Sequence, residues 1–133
     1  MWVFDVDGCL VDSLTGTSLR PGARELLEHL RAEGGARVVV WSAGGGDYAE
    51  RRTHDLGVGH LVDAFHSKEE RDDDGRYRTD HFLSDPSAAV FVDDRPEDLP
   101  VGARAIAVSP YLAANPHDRG LDPAARAAGL LQD

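Results

Sequence analysis

The run Val38-Val39-Val40-Trp41 constrains this chain more than any other segment: it is continuously apolar, largely β-branched, and lacks the alternation of a half-exposed strand. Such a run must be covered on both faces, as strands inside a layered parallel sheet are. Trp2-Val3-Phe4 and Ala88–Val92 read as buried strands in the same way, Ala103–Val108 is a last strand, and Leu61–His66 is a weaker one. Helical patterns fall between them. Pro21, suited to a first helical position, opens Ala23–Leu30, in which Leu26, Leu27 and Leu30 share one face and Gly34-Gly35 end the helix. Asp47 is placed to cap a second helix reaching Leu56 and closed by Gly57, and Pro123–Leu131 forms a last one. Alternating strands and helices predict a doubly wound, Rossmann-like α/β fold, three layers around a central parallel sheet. At 133 residues the chain fits a single domain spanning 1–133. The remaining segments read as irregular. Gly8–Gly16 is an irregular turn or small hairpin, and Asp72-Asp73-Asp74-Gly75 is a solvated turn rather than a calcium loop, because the alternating ligand register is missing.

In such sheets ligands bind beyond the carboxyl ends of the strands. Asp5, Ser42 and Asp93-Asp94 each stand at that end of a predicted strand, and Lys68 follows the weaker one. Four polar positions thus converge on one sheet edge. Lys68 is also the only lysine among 14 basic residues.

Composition narrows the chemistry. A net charge of −10 argues against nucleic-acid backbones and anionic membranes as partners, though a bound cation can reverse the local sign at one site. No segment approaches the roughly 18 apolar residues of a bilayer span. Met1 runs into Trp2-Val3-Phe4 and two aspartates without a leader pattern, so a cytoplasmic location is expected, and the lone Cys9 agrees with a reducing compartment.

Asp5 and Asp7, two positions apart at a strand end, are costly to hold together because like charges raise each other's pKa. A divalent cation removes much of that cost. With Asp93 and Asp94 they offer only hard oxygen donors, the set suited to Mg²⁺, whereas one cysteine and six scattered histidines give no zinc spacing. His29, His54, His60, His66, His81 and His117 are read as surface or packing residues. Phosphoryl transfer then needs a nucleophile, charge neutralisation and a proton donor. A carboxylate can attack, Ser42 and the Ala43 amide can cradle phosphate oxygens, and Lys68 can touch both phosphoryl group and nucleophile. Asp7, held protonated by its crowded surroundings, suits the general acid and then the general base.

These residues, in this order, resemble the haloacid-dehalogenase-like (HAD) superfamily: Asp5-Val6-Asp7-Gly8-Cys9-Leu10 after a strand, Ser42 ending a second, a lone Lys68, and Asp93-Asp94 ending another. The resemblance covers residues 2 to about 109. It implies Asp5 as nucleophile and Asp7 as acid/base, with the Asp7 backbone carbonyl on Mg²⁺. It makes Asp94 the principal metal carboxylate of the last motif, Asp93 supporting it. Cys9 stands where the family usually has Thr, and reads as a small buried filler. A carboxylate at Asp7 favours phosphatase over dehalogenase, since a halide leaves without a proton.

About 30 residues separate Asp12 from Ser42 and 26 positions separate Ser42 from Lys68, which leaves no room for a cap domain. The resemblance then points to the capless branch, with an open site and a phosphorylated substrate that is large or macromolecular, or a site covered by a partner. Trp41-Ser42-Ala43-Gly44 with Tyr48-Ala49 is similar to capless phosphoprotein phosphatases related to the RNA polymerase C-terminal-domain phosphatases. Two other readings use the same fold: a phosphotransferase or nucleic-acid-end phosphatase, and a non-enzymatic regulatory domain. A response-regulator receiver domain carries its acidic pair on the first strand, whereas here the pair comes late. The loop holding Pro110-Tyr111 and Asn115-Pro116-His117-Asp118 is read as structural rather than as a border of the substrate site.

Overall fold

A computed structural model describes residues 1–33 and 35–132. The elements run β1 (Trp2–Phe4), α1 (Ala23–Ala32), β2 (Val38–Ser42), α2 (Gly46–Asp55), β3 (Ala64–Ser67), β4 (Val90–Asp93), β5 (Arg104–Ala107) and α3 (Asp122–Ala127). The five strands form one parallel sheet in the order β3-β2-β1-β4-β5. The chain builds outward from β1 to β3, returns, and builds the other way through β4 and β5. The order reverses at β1 and β4, the place where sheets of this kind open a crevice at their carboxyl edge.

Side chains divide by strand alternation. Phe4, Val38, Val40 and Val92 face a core shared with Leu26, Leu27 and Leu30 of α1, Ala49 of α2 and Ala124 of α3. Val3, Val39, Trp41 and Phe91 face the other way, against Leu99, Tyr77, Phe82 and Leu83. The helices among the described residues thus line one face, and the second is covered by irregular chain. All five residues of β2 are buried, as the apolar run demanded. Burying each large apolar side chain stabilises by about 1.5–3 kcal/mol, and Trp41, edge-on to Tyr77 and Phe91, contributes on the second face.

Local starts and stops differ from the sequence expectation for identifiable reasons. Pro21 is not the first helical residue. Ala23 N–H donates to Arg20 O at 3.0 Å and Gly22 has φ 87°, ψ −10°, so Arg20-Pro21-Gly22-Ala23 is a type II turn and α1 starts after it. Gly34 lies outside the described residues, so its part in ending α1 does too. Asp47 does not cap α2; the helix begins one residue earlier, where Gly46 N–H donates to Ser67 Oγ of β3 at 2.8 Å. Gly59–Leu61 is a short 3₁₀ turn, and β3 begins only at Ala64. The Gly8–Gly16 segment is organised by Asp12. Its carboxylate accepts from the Thr15 hydroxyl and amide and from the Thr17 and Ser18 amides, and these bonds, the Thr15 hydroxyl first, pull its pKa down to about 2. No described helix is long and apolar enough to cross a membrane.

Candidate active site

The strand ends bring the expected residues together. Asp5 follows β1, Ser42 closes β2, Lys68 follows β3, and Asp93 closes β4 with Asp94 beyond it; all line one open cleft of about 280 Å³ with Asp7 and Ala43. A larger hollow, about 430 Å³, lies outside α2, but it is lined only by that helix's own polar surface (Asp47, Glu50, Arg51, His54, Asp55) and converges on nothing. Lys68 is tied in place through its backbone, whose N–H donates to Ser42 O at 2.9 Å. Its ammonium donates to Asp5 Oδ1 at 3.2 Å and to Asp93 Oδ2 at 3.1 Å, and it lies 5.1 Å from the centroid of Trp41.

Carboxylate oxygens of Asp5, Asp93 and Asp94 lie within 4.8 Å of one another. Gly8 lets Asp94 come so near: a Cβ there would stand 2.8 Å from Asp94 Oδ2, and its φ of +79° disfavours any side chain. Asp93 already uses both oxygens, one for Lys68 and one for the Arg95 N–H at 2.8 Å. Asp94 therefore has the freer oxygens for a cation. Burial raises the Asp5 carboxyl to about 8, Lys68 opposing the shift and Asp93 and Asp94 reinforcing it. Burial likewise raises Asp93 against the pull of Lys68. Lys68 itself is held above the ordinary lysine value: burial would lower it, but Asp5 and Asp93 together outweigh burial. Both directions hold together because one ammonium meets two carboxyls, Asp5 and Asp93, while Asp94 crowds the same site, so acidic groups outnumber the one cation. Three convergent hard oxygen donors with that excess charge fit a divalent cation such as Mg²⁺.

Asp7 stands apart from this trio. The like-charge crowding expected between Asp5 and Asp7 falls instead among Asp5, Asp93 and Asp94. Asp7 Oδ1 accepts a 2.7 Å hydrogen bond from the Tyr48 hydroxyl. Ser42 is buried, and its Oγ accepts from Gly44 N–H at 3.1 Å, which leaves its own proton to donate.

Several residues of the cleft carried no signal in the sequence. Arg71, Tyr77, Arg95 and Asp98 also line it, brought there by the chain after β3 and the turn after β4. The Arg71 guanidinium stacks 4.0 Å from the Tyr77 ring centroid. Arg20 lies beneath the site with its side chain wholly buried. It pairs with Asp118 at 2.6 Å and donates to Ser109 O at 2.7 Å and to Cys9 O at 3.3 Å. Tyr111 N–H donates to Gly8 O at 2.7 Å, so the loop through Pro110 to Asp118 braces the turn after Asp7, as a structural loop should. Cys9 is a buried filler whose thiol is pushed up by burial. The His29 ring bonds Ala128 O at 2.8 Å, His66 stacks on Phe82, and no histidine joins the three-carboxylate group.

No curated protein shows a significant match to the chain. The family model described as NLI interacting factor-like phosphatase matches residues 2–129, from β1 with its following Asp5 to the chain beyond α3. A match over nearly the whole length, on a single five-stranded parallel sheet without a cap, means that this chain belongs to the NLI interacting factor-like phosphatases, a capless HAD-like family.

Proposed function

We propose that this protein is a Mg²⁺-dependent phosphatase that hydrolyses a phosphate monoester through a phosphorylated Asp5. The observation carrying the proposal is the convergence of Asp5, Lys68, Asp93 and Asp94 at one sheet edge with Asp7 beside them. Asp5, Asp94 and the Asp7 backbone carbonyl would hold Mg²⁺, with Asp93 supporting. When bound, the cation neutralises the carboxylate trio and the phosphoryl oxygens that gather charge.

The protein's own groups do the rest. The Ser42 hydroxyl and Ala43 amide take phosphoryl oxygens, and Lys68 adds positive charge between phosphoryl group and nucleophile. A carboxylate oxygen of Asp5 forms a bond to phosphorus as the ester P–O bond breaks, and the leaving oxygen takes a proton from Asp7. Asp7 then removes a proton from water, which attacks the acyl phosphate, releases inorganic phosphate and restores the Asp5 carboxylate. A site with no cap domain over it suits a phosphorylated side chain on a large substrate. The test is hydrolysis of p-nitrophenyl phosphate and phosphopeptides with and without Mg²⁺, with acid quenching to trap the phosphoenzyme. Phosphate on Asp5, seen by peptide mass, supports the proposal; Mg²⁺-dependent turnover with no phosphorylated carboxylate overturns the covalent route.

A pH dependence follows from the raised Asp5 carboxyl. Asp5 keeps its proton in the folded, metal-free protein up to about 8, against 3.8 for a free side chain. Between those values the folded state binds more protons than the unfolded one, so metal-free stability falls as pH rises across that window. The lowered carboxyls of Asp12, Asp63 and Asp118 act below it. Mg²⁺ must displace the Asp5 proton, so its affinity rises with pH and levels off above about 8. Calorimetric Mg²⁺ titrations and thermal melts from pH 5.5 to 8.5 should show both trends; Mg²⁺ affinity independent of pH would count against Asp5 as a ligand.

A further inference from the structure

Among the described residues, Tyr48 is the one side chain that bonds the proposed proton carrier, and the surrounding chain is shaped to hold it there. It sits in the first turn of α2, half-buried, with its hydroxyl 2.7 Å from Asp7 Oδ1. A Cβ on Gly44 would stand 2.7 Å from its ring, and one on Gly16 would stand 3.3 Å from its hydroxyl and 3.1 Å from Arg52 Nε. Two separate turns thus carry no side chain where Tyr48 and Arg52 lie. Arg52, one helical turn further along α2, places its guanidinium 5.4 Å from the centroid of the Tyr48 ring.

This arrangement gives the hydrogen bond a direction. Arg52 has donors and no acceptor, so it cannot take the phenolic proton, and the Tyr48 hydroxyl is left to donate to Asp7 Oδ1. The phenolic proton then has one acceptor in reach, Asp7. An aspartate carboxyl turns easily about its last torsion, which has broad, shallow wells. With Oδ1 held by Tyr48, the plane of the carboxyl is set and Oδ2 is the oxygen left to carry and deliver a proton. We propose that Tyr48, oriented by Arg52, is a positioning residue for Asp7, aiming its free oxygen at the leaving group. The inference rests on the reading of Asp7 as the proton carrier.

The test exploits the leaving group. An alkyl oxygen needs a proton as the P–O bond breaks, whereas a nitrophenolate departs with little help. General acid catalysis contributes on the order of 10²- to 10⁴-fold. Misaiming the acid should forfeit part of that, and only where the acid is needed. Tyr48→Phe removes one oxygen and keeps the ring in its slot. In the Mg²⁺-loaded protein, its kcat/KM should fall about 10- to 100-fold with a phosphoserine peptide and several-fold less with p-nitrophenyl phosphate. Arg52→Met, which leaves the tyrosine hydroxyl present but unheld, should show the same split at smaller size. Asp7→Asn separates the two levels of the argument. If Asp7→Asn shows the leaving-group split and Tyr48→Phe loses equally on both substrates, or on neither, the positioning role is overturned while Asp7 stands. If Asp7→Asn itself shows no split, the reading of Asp7 falls and the inference falls with it.

Discussion

Asp5→Asn is expected to reduce phosphatase turnover by on the order of 10⁴-fold or more while leaving the fold as stable as before, or more so. The activity loss follows from the atoms. An amide oxygen is a poor nucleophile, and attack through it would yield no hydrolysable acyl phosphate of the same kind. The stability follows from the charges. The substitution keeps shape and volume and leaves an oxygen that can still accept from Lys68, now 3.2 Å from Asp5 Oδ1. It removes one of the two carboxyls that bond Lys68, so above about pH 8, where Asp5 would ionise, the surplus negative charge of the site falls. Burial is the largest influence raising the Asp5 carboxyl, and a neutral amide does not incur that cost. Groups arranged for chemistry rather than for stability commonly give this pairing of lost activity with gained stability. Turnover with p-nitrophenyl phosphate and thermal melting in the same Mg²⁺-free and Mg²⁺-containing buffers measure both. Residual turnover within tenfold of the parent would remove Asp5 from the nucleophile's role.

The largest stability loss is expected at Arg20, outside the catalytic groups. Arg20→Met should destabilise by about 3–5 kcal/mol, the usual cost of breaking a buried ion pair from one side. The guanidinium is fully buried and satisfies Asp118, Ser109 O and Cys9 O at once, so its removal strands several acceptors. Asp118 retains 15% exposure and a bond from Gly120 N–H, and some water can reach it, which places the loss toward the lower end. Replacing both partners, as Arg20→Met with Asp118→Leu, should recover much of the loss because no unpaired charge remains. Urea denaturation of the three variants reads the difference. A loss under 1 kcal/mol for the single variant would show that the pair does not hold the turn carrying Asp7 and Gly8.

The strand-end residues were legible in the sequence for a physical reason. A strand buried on both faces writes itself as an apolar run, and a polar residue that interrupts it marks the edge; Ser42 after Val38-Val39-Val40-Trp41 and Asp93 after Val90-Phe91-Val92 are such marks. Starts and stops of helices were less legible. Pro21 suits a first helical position as well as the second position of a type II turn, and only the geometry of Gly22 separates them. Asp47 suits a cap, but Ser67, 20 positions along in another strand, reaches the helix start first.

The sequence by itself determined which residues stand at the carboxyl edge, because strand alternation and buried apolar runs are local properties of neighbouring side chains. The order of motifs determined the family in the same way. Tertiary structure alone decided which charges meet. It set Asp5 among Asp93 and Asp94 rather than against Asp7, gave Asp7 to Tyr48, and buried Arg20 against Asp118. Electrostatic energy depends on distance through space and on the water excluded between groups, and neither is a function of separation along the chain.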